Sequence, residues 1–312
     1  MSELMNEELM KDIESDLFKC FQYYGDTAIG SVHVWPKFGG TRLNWVYTGT
    51  SFSFNRVFGA RLSDREADKK KIKHIIDFFE KKNALAVWLI GRSSKPCDLG
   101  ERLDRYGFKY SETLTDMYID LCAVNLDPFL RDKQEFNVIK VSNQNEHSVW
   151  INTSCKGRGV NAEIDQINCH KIFENMKYDN SLPYQYFLGY YKDNPVCTCI
   201  LFAGESGAGL HCISTIPEWR NHGFANAITS CALKDAHLSG YNIAFLQANV
   251  SSENIYKKIG FKEYGRTKIY VYMPKGNDRE RDFTQSLLQK LKHNIRSCLN
   301  LNRTENLKLI AP

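Results

Sequence analysis

The sequence predicts an α/β protein: a mixed α+β sheet, partly parallel, with helices on its faces. Three observations predict it. Stretches rich in β-branched and aromatic residues alternate with stretches whose apolar residues recur at helical spacing. A short near-repeat, Leu103-Asp-Arg-Tyr-Gly-Phe-Lys-Tyr and Tyr256-Lys-Lys-Ile-Gly-Phe-Lys-Glu, follows a helix, strand and helix in each half. The length, 312 residues, suits two domains at roughly 150 residues apiece. Together they predict two copies of one fold. A degenerate copy covers 1–124, a linker 125–136, a chemically equipped copy 137–275 and an amphipathic helical tail 276–312.

Taken in order, residues 3–24 read as a helix, with Leu9, Ile13, Leu17 and Phe21 four apart on one face. The stretch from Ile29 to Phe54, broken at Gly39-Gly40, reads as a hairpin and further strand. Asp64 to Lys82 reads as a helix opened by Ser63, with Ile72, Ile75, Ile76 and Phe79 forming its apolar stripe. A buried strand (Leu85–Gly91), a short helix (Asp98–Arg105), the turn at Gly107 and a strand near Glu112–Leu121 complete the first half. Residues 125–136 show no strong period. In the second half, helical material over 146–176 is interrupted by Gly157 and Gly159. Strands then end at Gly189-Tyr190, run over Val196–Gly204 and run over Ala208–Ile216. A helix (Asn221–Leu238), a strand (Asn242–Asn249), a helix (Ser252–Ile259) and a strand (Thr267–Met273) follow.

Composition excludes several classes. At 43% hydrophobic and 25% charged the chain is an ordinary globular one, not a disordered one. A net charge of +5 is too weak to argue for nucleic acid and supports only mild attraction to anionic ligands. No apolar run approaches the ~18 residues of a membrane span, and the acidic start is unlike a secretory signal. Ten cysteines without a CxxC pair fit reduced thiols and a cytoplasmic location, and no metal site is expected from their spacing.

The most informative segment runs from Gly209 to Ala227. A strand stops before Pro217, which has no N–H for the ladder, and a loop feeds a helix with Gly223 and Ala225 at its start. Backbone N–H groups there lack partners and sit at the positive end of the helix dipole, so small residues allow a phosphate to approach. A tight turn that needs glycine only for packing is the plainer alternative. Downstream, Asn249 ends the next strand, Tyr256 lies seven residues on, and Gly260-Phe261 follows.

With these residues the chain resembles the GNAT-type N-acetyltransferases over residues 185–275. Their coenzyme motif, a strand, Pro and Arg/Gln-x-x-Gly-x-Gly/Ala opening a helix, stands here as Arg220-Asn221-His222-Gly223-Phe224-Ala225. Their second motif stands as Asn249, Tyr256 and Gly260-Phe261. Ala225 replaces the commoner Gly, and Asn221 and His222 stand where Gly and Arg are frequent. The resemblance implies acetyl-CoA as co-substrate and a primary amine as acceptor: a small amine, an amino sugar, a peptide N-terminus or a lysine. It implies that the backbone of Ile213, Ser214 and Thr215 pairs with the pantetheine and that Asn221–Asn226 hold the pyrophosphate. Asn249 would fix the pantetheine, and Tyr256 would protonate the departing thiolate.

The base is less determined. His211, two residues before Ile213, is expected on the same strand face. Glu205 and direct attack by a neutral amine remain alternatives. His222 reads as a phosphate contact or a solvated loop residue, and Tyr256 as the acid or a core aromatic. In the first half Asp64, Glu66 and Asp68 stand where a pyrophosphate would sit, and Leu103 stands where Tyr256 does, so chemistry is not expected there. Beyond the core, Phe283, Leu287, Leu288, Leu291, Ile295 and Leu299 suggest a helix docked on the surface or lying at a membrane interface. A coenzyme A-binding sensor and an acyltransferase for a longer acyl group are the competing readings, and self-association stays open.

Overall fold

The apolar stripe of the first helix decides where that helix lies. The computed structural model describes residues 7–35, 42–50, 54–63, 70–129, 135–158, 163–176, 178 and 181–275. In it α1 (Glu7–Gly25) buries Ile13, Leu17 and Phe21 against the sheet. Its Asp16, also buried, accepts hydrogen bonds from the backbone N–H groups of Glu205, Ser206 and Gly207 at 2.8–3.1 Å. One carboxylate thereby satisfies three turn donors and ties the first helix to the second half.

Three strands follow: β1 (Ser31–Trp35), β2 (Arg42–Tyr47) and β3 (Arg56–Arg61). Helix α2 (Ile72–Lys81) buries Ile72, Ile75 and Phe79 as its spacing predicts. The start expected for it, with Asp64, Glu66 and Asp68, lies outside the described residues. The first half closes with β4 (Ala86–Ile90), α3 (Leu99–Arg105) and β5 (Lys109–Asp120). The second half opens with β6 (Phe136–Lys140), a short edge strand that the sequence reading passed over because five residues, none of them fully buried, carry too little periodicity. Next come α4 (Gln144–Gly157), α5 (Glu163–Met176), β7 (Tyr184–Tyr191), β8 (Asn194–Ala203) and β9 (Ala208–Thr215). Helix α6 (Phe224–Leu238), β10 (Ile243–Ala248), α7 (Glu253–Ile259) and β11 (Lys262–Tyr272) complete it. The C-terminal tail, 276–312, lies outside the described residues, as does Gly159.

All eleven described strands form one mixed sheet in the order β1-β2-β3-β4-β11-β5-β10-β9-β8-β7-β6. The order shows that the halves exchange their closing strands. β11 pairs antiparallel with β4, β5 pairs antiparallel with β10, and the two closing strands pair with each other at the centre. Strand alternation then sorts the core. Phe245, Ile200, Val87 and Leu89 face α1, α4 and α5, whereas Leu246, Cys199 and Leu201 face α6 and α7. Ala86 and Trp88 face α2 and α3. Trp150 of α4 is fully buried and donates from Nε1 to the carbonyls of Phe187 and Cys199, which seats α4 on β7 and β8.

The near-repeat has a structural counterpart. Each half carries a bulge in its parallel-paired strand, marked by positive φ at Gly59 (62°) in β3 and at Cys212 (51°) in β9. Beyond each bulge the strand parts from its parallel neighbour. Pairing between β3 and β4 covers Arg56↔Val87 and Val57↔Trp88, and that between β9 and β10 ends at Leu210↔Leu246.

Candidate active site

The second-half opening is built from the loop after β9. Pro217 begins a 3₁₀ turn (Pro217–Trp219), and Asn221 (φ 65°) and Gly223 (φ 72°) take left-handed conformations. A helix cannot include such residues, so α6 starts at Phe224 rather than at Asn221 as expected from the sequence. The backbone amides of Asn221, Gly223, Ala225 and Asn226 donate no hydrogen bond among the described residues. They lie at the positive end of a fifteen-residue helix. The Arg220 side chain folds back, donating to the carbonyls of Thr215 (3.2 Å) and Gly157 (3.1 Å), so it braces the loop against α4. His222 pairs through Nδ1 with the Arg220 carbonyl at 2.8 Å. Phe136, Tyr191, Trp219 and Phe224 form an aromatic support below the loop.

Ile213, Ser214 and Thr215 lie along β8 on one side, and no strand among the described residues pairs with their other side. The bulge overturns one expectation. His211 and Ile213 do not share a face, because the extra residue at Cys212 reverses the alternation. Ile213 packs on the α6–α7 side, while the His211 ring lies near Phe202 and Phe245 on the α1–α4 side. Its Nε2 is shielded from solvent without a partner among the described residues. Burial pushes the imidazole down to about 4, so it is neutral at pH 7 and a weak base.

Tyr256 of α7 is buried in the same apolar cluster as Phe224 and Ile228. Burial, reinforced by Cys199, pushes its phenol up; the bond to Ser252 opposes this only in part. It therefore keeps its proton at neutral pH. Asn249 spends Oδ1 on the start of α7, accepting from the Ser252 amide (3.0 Å) and from the Ser251 and Ser252 hydroxyls. Its Nδ2 donates nothing among the described residues.

Sequence reasoning missed Asp116. This residue of β5 lies beside Gln247 of β10 only because the closing strands are exchanged. Its carboxylate accepts from Gln247 Nε2 (2.7 Å) and Thr267 Oγ1 (2.9 and 3.1 Å), and it lines a cavity of about 330 Å3 beneath α1. Burial raises it from 3.8 to about 6, with Glu14 and Glu263 adding to the rise and the two hydrogen-bonding side chains opposing it. The local signal was an acid inside a strand otherwise rich in β-formers, which points to a face but not to a neighbour.

The first half keeps the opening and closes it. After β4 the backbone of Lys95 donates to the Ala60 carbonyl (2.9 Å) and accepts from the Leu62 amide (3.1 Å). These bonds use the strand edge that stays open on β9. Leu103, at Tyr256's place in the near-repeat, is fully buried.

The fold is shared with solved structures. A GCN5-related N-acetyltransferase from Kribbella flavida is similar over 89% of this chain and 99% of its own, with TM-score 0.64 and 13% identity. The fold is that of the GNAT N-acetyltransferases. A tandem GNAT protein from the clavulanic acid biosynthesis pathway matches over 79% of this chain and 84% of its own, with TM-score 0.53 and 10% identity. A GCN5-related N-acetyltransferase-like protein from Streptococcus suis matches over 82% and 98%, with TM-score 0.51 and 13% identity. No family model matches the sequence, and no curated protein matches it. The open β9 edge running into unpaired helix-start amides offers an extended chain a strand partner and a phosphate a set of backbone donors. Among the described residues no three His, Cys, Asp or Glu side chains gather as a metal site requires. No helix among them is long and apolar enough to cross a membrane.

Proposed function

We propose that the chain is an acyltransferase that moves an acetyl group from acetyl-CoA directly to a primary amine. The observation that carries this is the edge of Ile213–Thr215, paired with no second strand among the described residues, leading into the amides of Asn221, Gly223, Ala225 and Asn226 at the start of α6. Backbone donors suit an anionic coenzyme without a strongly basic surface, which matches the small net charge of +5. Bound acetyl-CoA supplies an acetyl thioester. In this reading Tyr256, protonated at neutral pH, donates to the leaving sulfur, and Asn249, whose Oδ1 is engaged by Ser252, offers Nδ2 to the pantetheine.

The amine must lose a proton. His211 is the base that strand position suggests, yet its imidazole accepts a proton only near pH 4. Asp116, held near 6 at the cavity wall and next to the β10 residue that follows the last paired position, is better matched to neutral pH. The two halves take unequal parts in this reading: 137–275 supplies the coenzyme site, and 1–124 supplies Asp116 and the helix over the cavity.

The test is acetyl-CoA binding by calorimetry and coenzyme A release with an amine panel. Gly223→Glu places bulk and negative charge among the amides and abolishes binding; wild-type affinity in that variant removes the cradle. Tight binding without release on any amine assigns a sensor instead. Tighter binding of longer acyl-CoAs than of acetyl-CoA would reassign the acyl group.

A further inference from the structure

Two half-buried arginines each carry a guanidinium nitrogen cut off from solvent, and neither has an ion pair among the described residues. Arg56 starts β3, and Arg158 follows α4. Both lie against the buried ring of Phe54, with Cζ 5.8 Å and 5.0 Å from its centroid. Arg56 also approaches Phe21 (6.0 Å), and Arg158 approaches Phe173 (5.6 Å). Tyr24, near the end of α1, meets Phe54 edge-on at 5.0 Å, and its hydroxyl lies 3.7 Å from Cys212 Sγ. Cys212 is the bulge residue of β9, one position before the open edge begins. Four elements therefore bring two cations, a phenol and a thiol together beside the start of the edge proposed for the pantetheine, where the thioester would follow.

Arg56 Nη1 and Arg158 Nε are cut off from solvent and hydrogen-bonded to nothing among the described residues. The aromatic contacts occupy the guanidinium faces, but the in-plane N–H donors need acceptors. Burial pushes the Arg56 guanidinium below its ordinary value, to about 10, the direction expected of a cation with no anion beside it. Burial keeps the Tyr24 phenol and the Cys212 thiol in their neutral forms. A buried cation is retained at a cost unless something anionic completes it. Two such cations at one ring hold unpartnered N–H donors that suit a carboxylate, the planar acceptor that guanidinium donors match.

We infer that Arg56 and Arg158 form a subsite for a carboxylate presented beside the thioester, carried by the amine acceptor or by the acyl chain. The inference rests on the acyltransferase reading for its neighbour, but the subsite itself is measurable without turnover. An amino acid would place its amine within a bond or two of the carboxylate that the pair holds. A dicarboxylic acyl group such as succinyl would place the carboxylate at the far end of the chain.

The full-length protein decides this in two steps. Calorimetry and thermal midpoints with glycine and with succinate, at constant ionic strength, report binding to the free protein. At least one of them is expected to bind the wild type, and Arg56→Gln and Arg158→Gln each weaken that binding on the order of 100-fold, the scale of one charge-assisted pair. Arg56→Lys keeps the charge without the fork and is expected to fall between them, which separates recognition from misfolding. Absence of binding by both probes, or equal binding by wild type and all variants, overturns the subsite. Kinetics then names the source. Preference for glycine over ethylamine with acetyl-CoA assigns the acceptor, and preference for succinyl-CoA over acetyl-CoA with ethylamine assigns the acyl chain. Equal rates in both comparisons overturn the role beside the thioester. Failure to bind any acyl-CoA counts against the acyltransferase reading alone, because the carboxylate binding is scored independently.

Discussion

Replacing Asp116 with asparagine should stabilise the protein above pH 6 and impair turnover. The carboxyl is buried and rises from 3.8 to about 6 on folding. At about 1.4 kcal/mol per unit, that rise corresponds to about 3 kcal/mol. The folded state binds the proton more tightly than the unfolded chain does, so the stabilising contribution is complete below about pH 4. It declines as pH rises, because the unfolded chain ionises first, and is lost once pH passes about 6. The asparagine side chain has no charge to desolvate and can keep the local bonds: its oxygen accepts from Thr267, and Gln247 can turn its amide to accept from the new nitrogen. Urea unfolding of both proteins from about pH 4 to about pH 7.5 should show the variant gaining about 3 kcal/mol relative to wild type across that interval. A difference that stays constant over the interval would refute the buried, elevated carboxyl. The same substitution removes the proposed base, so turnover should fall by roughly 10²–10⁴-fold while stability at neutral pH rises. A variant that is both more stable and fully active would remove Asp116 from catalysis and leave the electrostatic argument standing.

Three further outcomes are expected. Tyr256→Phe should lower turnover roughly 10²–10⁴-fold with acetyl-CoA affinity unchanged, and unaltered turnover in a steady-state assay would remove the phenol from the acid role. Gly157→Ala would bring a Cβ within 2.6 Å of Ser214 Oγ and 3.2 Å of the Thr215 amide, pushing on the open edge. Calorimetry should then show acetyl-CoA affinity lower by about tenfold, the effect of roughly 1–2 kcal/mol of overpacking, and wild-type affinity would show that the edge is not used. Asp16→Ala strips three turn amides of a shared acceptor, a loss of about 4 kcal/mol once water partly replaces it. Over 312 residues, that loss should lower the thermal midpoint by roughly 6 °C in calorimetry, and an unchanged midpoint would mean that the turn does not need α1.

Local pattern carried a long way in this chain. The stripe of Ile13, Leu17 and Phe21 and that of Ile72, Ile75 and Phe79 are buried as their spacing requires. Helical packing reads i, i+3 and i+4 neighbours that lie close in sequence. The strand–loop–helix was legible for the same reason: Pro217 to Ala225 is a contiguous run, and its turn chemistry is written in Gly223 and in the strand that precedes it. Two details escaped. The left-handed Asn221 shortened the helix, and the bulge at Cys212 turned His211 to the opposite face from Ile213. A single inserted residue inverts every expectation that rests on strand alternation, and nothing in the local run from Leu210 to Ser214 announces it.

The sequence by itself determined the mixed α/β elements, the near-repeat and the strand–loop–helix that presents unpaired amides. Each of these is a property of neighbouring residues. Only the tertiary structure decided that β5 and β11 change places, because strand order is set by long-range pairing energy that no local window contains. That exchange puts Asp116 beside Gln247, merges the halves into one sheet and places α1 over the cavity. It also decided that Arg56, 102 positions before Arg158, shares the ring of Phe54 with it. Charges and cavities belong to whatever the packed chain brings together, so Asp116 at the cavity wall and the Arg56–Arg158 pair became visible only in three dimensions.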